Sequence, residues 1–125
     1  MQIILDTNFL IYCAENKVDY ATDIMNLMNE GYELVVPNQV IMEIESIAKN
    51  AKKLSDRTAA FLALKLLEHN KVKVIESGGT YADEAIIIMV RRGCIVATLD
   101  FWLRKALSGK ARVMIVNSKR ELDFE

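Results

Sequence analysis

The sequence predicts a three-layer α/β/α domain around a central, mostly parallel five-stranded sheet. Three observations carry this. Strand-like and helix-like segments alternate along the whole chain. Most of the strand-like runs are continuous and β-branched, as in strands covered on both faces, rather than apolar at every second position. Gly31, Gly93 and Gly109 each fall just past a predicted helix, where a left-handed residue suits the helix end. Right-handed crossovers between parallel strands then place helices on both faces.

The elements follow in order. Gln2–Leu5 is a short apolar run suited to a buried strand, and a helix follows Asp6 to about Ala14. Asp19 opens a second helix, with Tyr20, Ile24, Leu27 and Met28 at helical spacing. Glu33–Val36 is the second strand, stopped by Pro37. Val40, Ile41, Ile44, Ile47 and Ala48 form one apolar helical stripe. A polar break at Asn50–Ser55 separates it from a helix running from about Asp56 to His69. Val72–Ile75 is the third strand and Ser77–Thr80 a loop. Tyr81–Arg92 is helical, Cys94–Ala97 the fourth strand, Asp100–Ser108 helical, and Arg112–Val116 the fifth strand before a polar tail.

A chain of 125 residues, 52% apolar and 26% charged, fits one globular domain spanning residues 1–125. The net charge of −1 excludes a strongly basic, sequence-independent nucleic-acid coat, though not a local basic patch. Cys13 and Cys94 lie far apart with no CxxC spacing, so neither a disulfide framework nor a zinc knuckle is expected; both read as reduced core thiols. The apolar N-terminus lacks a basic lead and contains Asp6, a poor signal peptide. No run of 18 apolar residues exists. The expectation is a cytoplasmic protein without a membrane partner.

Most catalytic kits are missing. His69 is the only histidine and sits at a predicted helix C-terminus, where it suits the dipole. There is no HExxH, no GxxxxGK[ST] and no GxGxxG; Gly78-Gly79 reads as a turn. Carboxylates remain. Asp6 follows the first strand, Glu43 lies in the helix after the second, Asp83 after the third and Asp100 after the fourth. In a parallel α/β sheet these positions share the carboxyl end, where ligands bind. Taken singly, Asp6 and Asp100 are also ordinary helix caps, and Asp83 suits a helix dipole. Glu43 is too deep in its own helix to cap it. Glu45 flanks the apolar stripe at a similar angle on the other side, so periodicity does not choose between them.

Four acids at one pole repel one another, which should raise their pKa values. A divalent cation would remove that cost, and oxygen-only ligands in an open site favour Mg²⁺ or Mn²⁺ over zinc. Such a centre suits phosphoryl chemistry, with one ion or two about 4 Å apart.

The stretches ILDTNFL, VPNQVIMEIE, GTYADEAI and CIVATLD, in that order, resemble the PIN-domain ribonucleases. The resemblance runs from Met1 to about Val116. It implies a metal-dependent nuclease site of Asp6, Glu43, Asp83 and Asp100, and selects Glu43 over Glu45. Asp6 and Asp100 would be direct metal ligands, Asp83 would complete the metal shell, and Glu43 would hold a water or a second ion. Asn8, Thr98 and Glu84 would support the site. GTYADE and IVATLDFWL look closest to the endonucleases that process small-subunit ribosomal RNA. Leu99 departs from the Asn common at its position, and Glu84 from a second Asp.

The resemblance implies RNA as substrate, and RNA requires cations. Lys49, Lys52, Lys53 and Arg57 cluster in the polar break, Arg91 and Arg92 precede Gly93, and Arg104 and Lys105 follow Asp100. These are a candidate phosphate track or a solvated face. Phe101 and Trp102 could stack a base, with core packing expected for at least one. The alternatives are a VapC-type toxin with an antitoxin, a non-catalytic RNA- or protein-binding module, and a small-molecule phosphatase. A homodimer and ribosome-assembly factors complete the candidate partners.

Overall fold

The computed structural model describes all residues, 1–125. In chain order the elements are β1 (Gln2–Leu5), α1 (Thr7–Glu15), α2 (Tyr20–Leu27), β2 (Glu33–Pro37), α3 (Asn38–Asn50), α4 (Leu54–His69) and β3 (Lys73–Ile75). There follow α5 (Ala82–Met89), β4 (Ile95–Ala97), α6 (Phe101–Ala106), β5 (Arg112–Val116) and β6 (Leu122–Phe124). They form one sheet in the order β3-β2-β1-β4-β5-β6. The first five strands are mutually parallel and β6 is antiparallel to β5.

The alternation of side chains along a strand divides the core in two. Ile3 and Leu5 of β1, Val36 of β2 and Ala97 of β4 face one layer, packed with α1, α2, α3 and α4. Ile4, Val35 and Val96 face the other, against Ile86 of α5 and Leu103 of α6. Central β1 is covered on both sides, and Ile3, Ile4 and Leu5 are fully buried. That is why the run shows no polar position. Both cysteines are buried and unpaired. No helix is long and apolar enough to cross a membrane.

Three expectations need correction. The sheet has six strands, not five. The tail returns through a hairpin fixed by Asn117, whose Oδ1 accepts from the Lys119 and Glu121 N–H groups at 2.9 and 3.1 Å. Leu122 then lies buried and Asp123 exposed, so three residues suffice for an edge strand. Helix α5 stops at Met89 rather than Arg92. The Arg91 guanidinium donates to the Ile88 and Val90 carbonyls, and Gly93, at φ 91°, lies in an Arg91–Cys94 turn. Gly31 lies beyond the end of α2, whose C-cap is Met28, and is not left-handed.

Candidate active site

The chain leaves the central pair β1 and β4 in sequence order on opposite sides of the sheet's switch point. The strand order steps outward from β1 to β2 and β3, then returns to β4 on the other flank. A crevice opens where the two following helices diverge. Here an open cleft of about 590 Å³ is lined by Asp6, Glu43, Asp83 and Asp100, together with Thr7, Asn8 and Leu99. All four acids singled out in the sequence therefore share one cleft.

Asp6 is the deepest of them, with only 6% of its surface exposed. It is the N-cap of α1, and its Oδ1 accepts from the Thr7 N–H at 2.8 Å. Its Oδ2 accepts from the Thr98 hydroxyl at 2.7 Å. Burial lifts its carboxyl from 3.8 to about 6. The hydrogen bonds from Thr98 and Thr7 oppose that shift, and the charges of Glu43 and Asp100 add to it less than burial does. Mutual repulsion, expected from the sequence as the cause, is thus secondary to desolvation.

Asp100 caps α6, with Oδ1 accepting from the Leu103 N–H at 2.8 Å. Its second oxygen has no protein donor. Asp83 lies in the first turn of α5, exposed, with one oxygen accepting from the Glu84 N–H at 2.8 Å. Capping and cleft-lining are therefore compatible, because each cap uses a single oxygen.

Glu43 behaves differently. Its Oε1 accepts from the Thr7 hydroxyl at 3.0 Å and its Oε2 from the Ala82 N–H at 2.9 Å. It does not cap its own helix, but it caps α5 and fastens that helix to α1. Glu45 is exposed and lies outside the cleft.

The supporting residues divide. Asn8 Oδ1 accepts from the Leu99 N–H at 3.1 Å, and Thr98 is fully buried. Glu84 is exposed and does not line the cleft. Three further residues escaped the sequence reading. Glu15, at the end of α1, is a fifth carboxylate lining the cleft. Thr7 joins Asp6 to Glu43. Buried Gln39 donates through Nε2 to the carbonyls of Ser77 at 2.8 Å and Gly79 at 2.7 Å, holding the loop that delivers Asp83. The pairing of Asp-Thr after the first strand was a signal for Thr7; no charge or periodicity marked Gln39.

The cations are less available than their clustering suggested. Arg57 donates to the Ala51 carbonyl at 2.7 Å and the Lys52 carbonyl at 3.2 Å, closing the α3–α4 connection. Arg104 pairs with Glu125, the single salt bridge of the molecule. Lys49, Lys52 and Lys53 are exposed with no such tie, and Lys53 lines a neighbouring cavity that shares Glu15 with the acidic cleft. Phe101 and Trp102 are both exposed, so neither packs in the core.

The donor set fits a hard divalent cation. Every polar side chain lining the cleft beside the acids offers oxygen, none offers thiolate or imidazole, and buried Asp6 has no basic partner. No three acids enclose a point as a closed cage. Mg²⁺ does not require one, since it keeps several waters and binds through one or two carboxylates.

The fold and cleft define an α/β protein with an oxygen-lined acidic centre at the sheet's switch point. More particularly, the chain belongs to the PIN-like domain family, whose profile, described as PIN like domain, matches residues 3–120. Ribonuclease VapC4 of Methanocaldococcus jannaschii is 30% identical over 126 residues, covering 98% of this chain and 95% of that protein. The rRNA-processing protein FCF1 of Saccharomyces cerevisiae is 26% identical over 110 residues, covering 85% of this chain and 53% of FCF1. This chain thus matches about half of FCF1's length. The solved structure of the PIN domain endonuclease Utp24 superposes with a TM-score of 0.79 at 22% identity, covering 99% of this chain and 90% of that one. At that identity the likeness is one of fold.

Proposed function

We propose that this chain is a metal-dependent endoribonuclease that hydrolyses RNA phosphodiester bonds. One observation carries the reading. Four carboxylates from elements after four different strands line one open cleft, and none of them has a basic side chain as partner. Asp6 and Asp100 would hold Mg²⁺ or Mn²⁺ directly, with Asp83 completing the shell through the ion's waters, and the ion would supply positive charge at the phosphate and ease deprotonation of the attacking water. Asp6 is oriented by Thr98 and Thr7, so it needs no rearrangement to present its oxygens. Glu43 fixes the position of α5, and through it Asp83. Lys49, Lys52, Lys53 and Lys105 are the free cations for RNA phosphates, Lys53 in the cavity that adjoins the cleft at Glu15.

The test is cleavage of single-stranded and structured RNA with Mn²⁺ or Mg²⁺, against a control with chelator. Metal-dependent internal cuts are expected; intact RNA under every metal condition would overturn the reading. Relatives named for rRNA processing and for VapC ribonucleases support two roles. The 30% identity to VapC4 over 98% of this chain favours a VapC-type ribonuclease, whose partner would be an antitoxin. An rRNA role would bring ribosome-assembly factors instead. A small antitoxin gene beside this one would decide for the first.

A further inference from the structure

Helix α6 begins directly after Asp100 and turns Leu103 into the core at 3% exposure. Its outward side carries Phe101, 53% exposed, and Trp102, 75% exposed, the most exposed of the large apolar side chains. Their rings meet edge to face, with centroids 5.3 Å apart and planes at 79°. That contact leaves Trp102 three-quarters exposed. The Lys105 ammonium lies 5.2 Å from the Phe101 centroid. A large aromatic surface with no partner in the fold, beside a cleft-lining acid and a cation, calls for a ligand with both flat apolar faces and negative charge.

We propose that Trp102 and Phe101 form a stacking platform for an unpaired RNA base at the mouth of the acidic cleft, with Lys105 facing the adjoining phosphate. The proposal rests on the ribonuclease reading of the cleft. A strand whose phosphate is held at Asp100 through a cation would bring its neighbouring base toward the start of α6, where the two aromatics follow Asp100. Bases in a duplex hide their faces against each other, so the platform selects single-stranded RNA. Stacking one base on an aromatic side chain is worth about 1–3 kcal/mol, roughly a 5- to 150-fold effect on binding.

Trp102 is the only tryptophan, so the fluorescence of the full chain reports this position alone. Titration in chelator, where no cutting occurs, should show quenching by poly(U) and little by the poly(A)·poly(U) duplex. In Mn²⁺, Trp102→Leu should raise KM about tenfold on the cleaved single strand with kcat kept, and Trp102→Phe should restore most of it. Both variants alter an exposed side chain, so folding is not at stake. Equal quenching by duplex, an unchanged KM in Trp102→Leu, or RNA cleavage without any quenching overturns the platform. So does fluorescence that shifts with protein concentration alone, which would mean that a second copy covers the rings. Quenching by poly(U) in a chain that cuts no RNA supports the platform and overturns the ribonuclease reading instead.

Discussion

The Thr98 hydroxyl donates to Asp6 Oδ2 at 2.7 Å while accepting from the Asp100 N–H at 3.1 Å. One buried side chain from the end of β4 thereby sets the orientation of one acid and the backbone of another. Thr98→Val keeps the shape and removes both bonds. It is expected to cost about 1–3 kcal/mol of stability, the usual consequence of stranding buried polar groups. Activity should fall with it, and the acidic limb of the pH–rate profile should move to higher pH, because Thr98 is a lowering influence on Asp6. Thr98→Ser should restore both. A valine variant with an unaltered profile would remove Thr98 from the site.

Asp6→Asn separates capping from chemistry. Asn is nearly as good a cap, so α1 should persist. Cleavage should drop by about a hundredfold or more, the scale of losing a main transition-state stabiliser. An equally active variant would end the assignment of Asp6 as a metal ligand.

The same substitution predicts a stability change with a definite sign. The folded-state pKa of Asp6 is about 6 against 3.8 for the free side chain. Below about pH 4 both states hold the proton and burial costs nothing. Between about 4 and 6 the unfolded chain releases it and the folded chain does not, so stability falls as pH rises. Above 6 the full penalty remains, at most about 3 kcal/mol. In metal-free buffer Asp6→Asn should therefore stabilise the protein at pH 7 and leave it unchanged at pH 3.5. Urea denaturation at the two pH values measures the difference.

Divalent metal should reverse that ranking. Mn²⁺ bound to the folded chain alone raises its stability, by about 2.7 kcal/mol at 100 times the dissociation constant. The melting temperature should rise at pH 7, less at pH 5 where Asp6 is largely protonated, and not in Asp6→Asn. A flat response to millimolar Mn²⁺ and Mg²⁺ would count against a metal site.

Glu43→Ala should destabilise by about 1–3 kcal/mol, since the Thr7 hydroxyl and the Ala82 N–H lose their acceptor together. Glu43→Gln keeps one acceptor oxygen and an amide that the Thr7 hydroxyl can accept from, so most of that stability should remain. Activity should fall in both. Equal melting points for the two variants would show that the link between α1 and α5 carries no weight.

The parts of this molecule that the sequence announces are those written in periodicity. Strands β1 and β4 stand out because burial on both faces forces unbroken apolar runs, and the acids stand out because each follows a strand-like run; edge strand β3, with Val74 exposed, is marked only by its β-branched residues. Strand β6 does not. Leu122-Asp123-Phe124 is too short for a pattern, and its place depends on a turn held by one asparagine side chain. Helix α5 ends early because Arg91 folds back on carbonyls, and Arg57 leaves the candidate RNA track by the same kind of contact. Where a long side chain reaches is decided in three dimensions. Glu43 and Glu45 are equivalent on a helical wheel; beyond the family resemblance, it is the neighbouring starts of α1 and α5 that distinguish them. Gln39, neutral and embedded in an apolar stretch, gives no sign that it holds the loop before Asp83.

Asp6 and Thr98 are 92 residues apart in the chain yet share a hydrogen bond. Asp6 directly follows β1, which occupies the middle of the sheet. Its partner β4 follows only after β2, β3 and the helices between them. At about 5–20 residues per second, a nascent chain spends on the order of 5–20 s with Asp6 exposed and its acidic neighbours unmade. During that interval the four-acid cleft does not exist. The acidic cleft is thus kept incomplete, by the order of its own strands, until β4 and Asp100 have emerged.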